Sequence, residues 1–194
     1  VLVIILLVLP LHECAHAWVA YRMGDSTAKN RGRLTLNPLP SIDPIGALCI
    51  LLFGFGWAKP VPVDSRYFTK NAKAKMALTA LAGPVSNLLA AFVGALIFYL
   101  IAFLTGYSTS VIMSYVATFF LYYITININL AVFNLIPLPP LDGSRILAAF
   151  LPDRMVYQYY RYQNIIMLAV FVLLFTGVLS RPLGWLTTQV YNGI

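Results

Sequence analysis

Between Lys75 and Asp142 the chain carries no charged side chain. A water-soluble domain cannot leave so long a stretch uncharged, because about a quarter of its residues are ordinarily charged. Two apolar segments fill the stretch, about Ala74 to Leu104 and about Ser110 to Leu138, joined by the uncharged link TGYSTS. Each is longer than the roughly 20 residues that cross a bilayer as a helix. Over the whole chain 60% of the residues are hydrophobic and 10% are charged, so most of it faces lipid or a packed interior.

Three further apolar segments are present. The first runs from Val1 to about Tyr21, and the last from about Asn164 to Leu179. The remaining one, Ile42 to Trp57, is too short to cross and is interrupted by Pro44, Gly46, Gly54 and Gly56, which points to a re-entrant segment. The expected fold is an all-α polytopic membrane protein in one domain over 1–194. It has about four transmembrane helices, 1–21, 74–104, 110–138 and 164–179, and a re-entrant or extended segment at 42–57. The first helix does not read as a signal peptide, since chemistry-bearing residues continue directly out of it.

The bases fix the orientation. If 42–57 does not cross, twelve of the thirteen Lys and Arg lie on one side, leaving Arg181 on the other. The positive-inside rule makes the basic side cytoplasmic. The net charge of +7 therefore has a use in topology, and nucleic acid is not expected as a partner. Cys14 and Cys49 lie among apolar neighbours and read as small buried hydrophobes. Lys59-Pro60-Val61-Pro62-Val63 should be extended, because each proline biases its predecessor away from helix.

The first apolar segment ends in PLHECAHAW. On a helix His12 and His16 project from one face and can share a zinc ion, while Glu13 lies beside them as a base for a water molecule. Unpaired, these three groups would be costly in a membrane. A catalytic zinc needs a third protein ligand. The chain has only two histidines and one glutamate, all within this motif, so five aspartates and two cysteines remain. Asp25, Asp43, Asp64 and Asp153 sit where turns or helix caps are expected. Cys14 points away from the histidines, and Cys49 lies mid-segment. Asp142, in NLIPLPPLDG, follows prolines that break a span at its cytoplasmic end, and elimination selects it.

HECAH, followed much later by FNLIPLPPLDG with AGPVSN between them, resembles the site-2 protease family of intramembrane zinc metalloproteases. The likeness covers Leu11 to about Arg145, with no sign of PDZ or CBS modules, so it resembles a minimal form. LDGSR differs from the second glycine that many relatives carry after LDG. The resemblance implies one zinc ion held by His12, His16 and Asp142, with Glu13 as base and Asn134 assisting the reacting carbonyl. Asn87 in AGPVSN would support the active-site backbone, Gly83 and Pro84 would form a local break, and Asn127 and Asn129 read as helix-to-helix hydrogen bonding. The implied substrate is a single-span membrane protein, cut within the bilayer after local unwinding, and Lys59 to Val63 could receive it by strand addition. The implied location is a prokaryotic plasma membrane, with the active site near the cytoplasmic face. A zinc transporter or metal-binding membrane protein is the competing reading. It would be expected to spread its ligands along a path, whereas here they gather near one face.

Overall fold

The computed structural model describes residues 2–53, 58–106, 110–176, 184–185 and 187–189. Among the described residues the chain forms, in order, the α-helices α1 (Leu2–Arg22), α2 (Thr27–Asn30), α3 (Pro44–Phe53), α4 (Ala72–Leu104), α5 (Val111–Asn134), α6 (Asp142–Ala148), α7 (Asp153–Arg161) and α8 (Gln163–Phe175). Among the described residues there is no strand, only a single antiparallel bridge between Ile42 and Ala58. The helices α4 and α5 are long and apolar enough to cross a membrane.

The sequence of α4 explains how the bundle closes. Its buried positions are Thr79, Ala80, Gly83, Pro84, Asn87, Ala90, Ala91, Gly94 and Ala102. That spacing repeats every three or four residues and makes one face of small side chains, the pattern that lets membrane helices approach closely. The helix packs that face against α1, α5 and α6. Its opposite face exposes Leu89, Phe92, Val93, Leu96, Leu100 and Phe103. An apolar exterior around an interior holding Thr and Asn is what a lipid solvent selects, and it would be an aggregation surface in water.

Helix α5 starts at a Ser110 cap whose hydroxyl accepts the Met113 N–H, and it stops at Asn134. The apolar segment read from sequence continues to Leu138, but Pro137, Pro139 and Pro140 supply no N–H, so the chain leaves the helix in a run of turns. Helix α8 covers 163–175, and the rest of the expected last span, to Leu179, lies outside the described residues except for Thr176.

The segment after α2 enters and leaves at one point. Ile42 bridges to Ala58, and the Lys59 N–H donates to the Ser41 carbonyl at 2.9 Å. Between them α3 has only 10 residues, about 15 Å of helix against roughly 30 Å of hydrocarbon. A segment that returns to its starting level does not cross, in line with the re-entrant reading; Gly54 to Trp57 lie outside the described residues. Buried Arg33 ties the base of this loop, its guanidinium donating to the carbonyls of Pro40 and Lys59.

Beyond the bridge, 59–64 is neither helix nor strand. Buried Asp25 fixes its far end, one carboxylate oxygen accepting the Thr27 N–H at 2.9 Å and the other the Asp64 N–H at 2.7 Å. Asp64 in turn caps a short 3-10 turn, and the Arg66 guanidinium beside it holds its carboxyl below the usual range. Lys75 donates to the Met23 carbonyl and Lys73 pairs with Asp153 at 2.6 Å. The ends of α1, α4 and the α6–α7 turn are thereby gathered, and the bases that flank them share one end of the bundle.

Candidate metal centre

His12 and His16 face α4 from the second half of α1 and are almost fully buried. His12 Nδ1 lies 2.7 Å from the Asn87 side-chain oxygen, and His16 Nδ1 lies 2.7 Å from the Thr79 carbonyl. These partners decide where each ring's proton sits. A backbone carbonyl only accepts, so His16 carries its proton on Nδ1. For His12 the assignment passes through three groups. The Tyr123 carbonyl must accept, so the Asn127 NH2 donates to it at 2.9 Å. The Asn127 oxygen then accepts the Asn87 NH2 at 3.1 Å, which leaves the Asn87 oxygen to accept from His12. In neutral rings both Nε2 atoms consequently present lone pairs, the form that binds metal.

Asp142 reaches the same point from the first turn of α6. Its Oδ2 lies 3.2 Å from His12 Nε2 and 3.1 Å from His16 Nε2, and the two Nε2 atoms are 3.0 Å apart. Oδ2 is buried without a hydrogen-bond donor. Three lone-pair atoms facing one another so closely repel unless a cation lies among them. Their spacing suits zinc, because tetrahedral ligands at about 2.0–2.1 Å sit roughly 3.3 Å from one another. The donor set and its geometry fit the ion, and it is the only such three-residue group among the described residues.

Two glycines make this convergence possible. A Cβ on Gly83 would stand 2.4 Å from His16 Nε2 and 2.5 Å from His12 Cε1. A Cβ on Gly143 would stand 2.3 Å from the Leu135 carbonyl oxygen, so only glycine lets α6 start against the end of α5 and deliver Asp142. The local break expected at Gly83 and Pro84 does not occur: α4 runs unbroken through both. The missing side chain, rather than a bend, admits the imidazoles.

Glu13 is half-buried, and its Oε2 accepts the Val61 N–H at 2.9 Å. It and the three ligands border a cavity of about 530 Å³, which Pro60, Val61, Asn134 and Arg145 also line. Asn134 is therefore at the cavity wall, with one amide N–H donated to the Leu130 carbonyl at 2.9 Å.

The structure thus brings His12, His16, Asp142, Glu13 and Asn134 to one cavity. Asn87 supports a histidine ring instead of the backbone. Asn127 does join two helices, and Asn129 accepts the Thr187 hydroxyl at 2.7 Å. The four set-aside aspartates serve turns, caps or ion pairs, and both cysteines are free. The link from Val61 to Glu13 was not foreseen. Its one sequence signal was that Val61 keeps an N–H between two prolines.

The sequence matches the family described as Peptidase family M50 over residues 1–177. It is 48% identical over 145 residues, 73% of this chain and 64% of the relative, to "Putative zinc metalloprotease YwhC" of Bacillus subtilis. It is 33% identical over 192 residues, 96% of this chain and 69% of the relative, to "Putative zinc metalloprotease Rip2" of Mycolicibacterium smegmatis. The Rip2 of Mycobacterium tuberculosis is 33% identical over 69% of this chain and 50% of its own length. The chain thus spans about half to two thirds of the curated relatives it matches. No solved structure matches. With both halves of its ligand set in place, the chain belongs to peptidase family M50, the site-2 protease family.

Proposed function

We propose that the chain is a zinc-dependent endopeptidase that hydrolyses peptide bonds within or near the transmembrane segments of membrane proteins. The observation that carries this reading is the meeting of His12, His16 and Asp142 at 3.0–3.2 Å beside Glu13, inside a helical bundle with an apolar exterior. We take α1 and α8 as further spans beside α4 and α5. The site then lies at the basic, cytoplasmic end of an integral plasma-membrane protein, with roughly 9 Å of helix rise between His16 and Arg22. The work this serves is regulated proteolysis of single-span substrates.

Zinc, when bound by the three ligands, supplies a Lewis acid that polarises a peptide carbonyl and acidifies water. Glu13 takes the proton from the attacking water and delivers it to the departing nitrogen. The Val61 N–H holds one oxygen of that carboxylate, and Oε1 has no hydrogen bond among the described residues, so it is free for the proton. Asn134 has one amide N–H left to donate to the developing oxyanion. The cavity walls are largely apolar, and a lower local dielectric strengthens each of these interactions.

A substrate helix must unwind before its carbonyl is accessible. The 59–63 segment can receive it only in a restricted way. Lys59 and Val61 spend their N–H groups internally, and Pro60 and Pro62 have none. An added strand would therefore have to donate its own N–H groups to carbonyls of this segment.

The test is Glu13→Gln, reconstituted with a single-span substrate. Zinc should remain at one ion per chain and cleavage should cease. Cleavage at the wild-type rate by this variant would end the protease reading.

A further inference from the structure

Six polar side chains border the cavity: His12, Glu13, His16, Asn134, Asp142 and Arg145. The first five have been given roles, and Arg145 has none. It sits three residues after Asp142 on α6, a spacing that puts both on one side of the helix. It is half-buried, and no hydrogen bond or ion pair reaches its guanidinium from any of the described residues.

The other cations differ. Arg33 holds two carbonyls, Arg66 pairs with Asp64, Lys73 with Asp153, and Lys75 holds the Met23 carbonyl. Lys29 lies on Tyr21, while Arg22, Arg31, Lys59, Lys70, Arg154 and Arg161 are exposed to solvent. Among the described cations Arg145 alone is both half-buried and unpartnered. A guanidinium against walls of Leu, Val, Pro, Phe and Met is costly without a counter-charge.

Each acid of the chain already has a partner or a place in the metal site. Of its six acidic residues, Glu13 accepts from Val61, Asp25 from Thr27 and Asp64, and Asp43 from Ile45 and Gly46. Asp64 is held by Arg66 and Asp153 by Lys73, and Asp142 is turned to the two histidines as the third member of the metal site. None of them pairs with Arg145, so a carboxylate that enters the cavity meets a guanidinium with no counter-charge of its own. A planar guanidinium fork matches a carboxylate through two parallel N–H bonds.

We infer that Arg145 is a specificity-determining residue that binds a carboxylate of the polypeptide held in the cavity. The carboxylate is either an Asp or Glu side chain close to the bond to be cut or a free chain terminus. The identity of the occupant as a polypeptide rests on the protease reading.

Binding can be measured without cleavage, using the Glu13→Gln variant loaded with zinc in nanodiscs of zwitterionic lipid. Three fluorescent single-span peptides serve as probes. One is neutral with Gln at the test position and an amidated end, one has Glu there, and one is neutral with a free carboxyl end. One carboxylate-bearing peptide should bind about ten-fold more tightly than the neutral one, and which of the two does so identifies the source. Adding Arg145→Gln should bring that ratio to about one, Arg145→Glu should reverse it in favour of the neutral peptide, and Arg145→Lys should keep part of it. Zinc content checks that each variant retains the site. Equal affinity for all three peptides would overturn the inference. So would a preference that survives Arg145→Gln, or one that appears only when anionic lipid is added. The protease reading fails by a separate result, an absence of cleavage of every peptide by the wild-type chain while the binding ratio stands.

Discussion

Gly83→Ala adds one methyl group at the closest point between α4 and the metal ligands. That carbon would lie 2.4 Å from His16 Nε2 and 2.5 Å from His12 Cε1. Ordinary contact begins at roughly 3.5 Å, so both rings have to retreat by about 1 Å, against a tolerance of about 0.2 Å for metal–ligand distances. The retreat is opposed at the far side of each ring, where Nδ1 is held at 2.7 Å by Asn87 or Thr79. Loss of an orienting partner alone typically weakens a site about 10–100-fold, and displaced ligands should cost at least the upper end, about 2.7 kcal/mol. The same change favours the helix itself by about 0.5–1 kcal/mol, because alanine replaces glycine in its interior. The two effects differ in size. Chelator competition should show zinc affinity reduced at least about 100-fold, while in thermal unfolding without metal the helix gain should offset part of the cost of moving the rings. Wild-type zinc affinity in Gly83→Ala would refute the packing argument.

Asp142→Asn should lower both zinc content and cleavage, since a neutral amide oxygen replaces the buried carboxylate; stoichiometric zinc in that variant would point to another ligand. Asn87→Leu leaves the His12 Nδ1 proton without an acceptor and should weaken zinc about 10–100-fold in the same chelator assay. Asn127→Leu acts one step further out, by freeing the Asn87 amide to turn, and should show a smaller loss in the same direction. Val61→Pro removes the N–H that holds Glu13, and should lower kcat while zinc content stays at one ion per chain; an unchanged kcat would assign the segment a purely structural role.

How far the sequence spoke depended on whether a feature was local. The spans at α4 and α5 were legible because lipid demands uncharged runs of fixed length, and their ends were misjudged only where prolines truncate an apolar run, as at Asn134. His12 and His16 declared themselves by helical spacing. Asp142 was reached by counting the few groups able to bind metal, a benefit of a chain with only six acids and two histidines. What could not be read were contacts across the bundle. AGPVSN announced close packing, but nothing in it says that Gly83 faces two imidazoles or that Asn87 sets a proton through Asn127 and the Tyr123 carbonyl.

The central claim is that one zinc ion is shared by His12, His16 and Asp142. Zinc K-edge X-ray absorption on the purified, metal-loaded chain tests it directly. The expected spectrum has two imidazole nitrogens and carboxylate oxygen at about 2.0–2.2 Å, without sulfur. A shell at about 2.3 Å, which only Cys14, Cys49 or a methionine could supply, or a failure to retain any zinc, would contradict it.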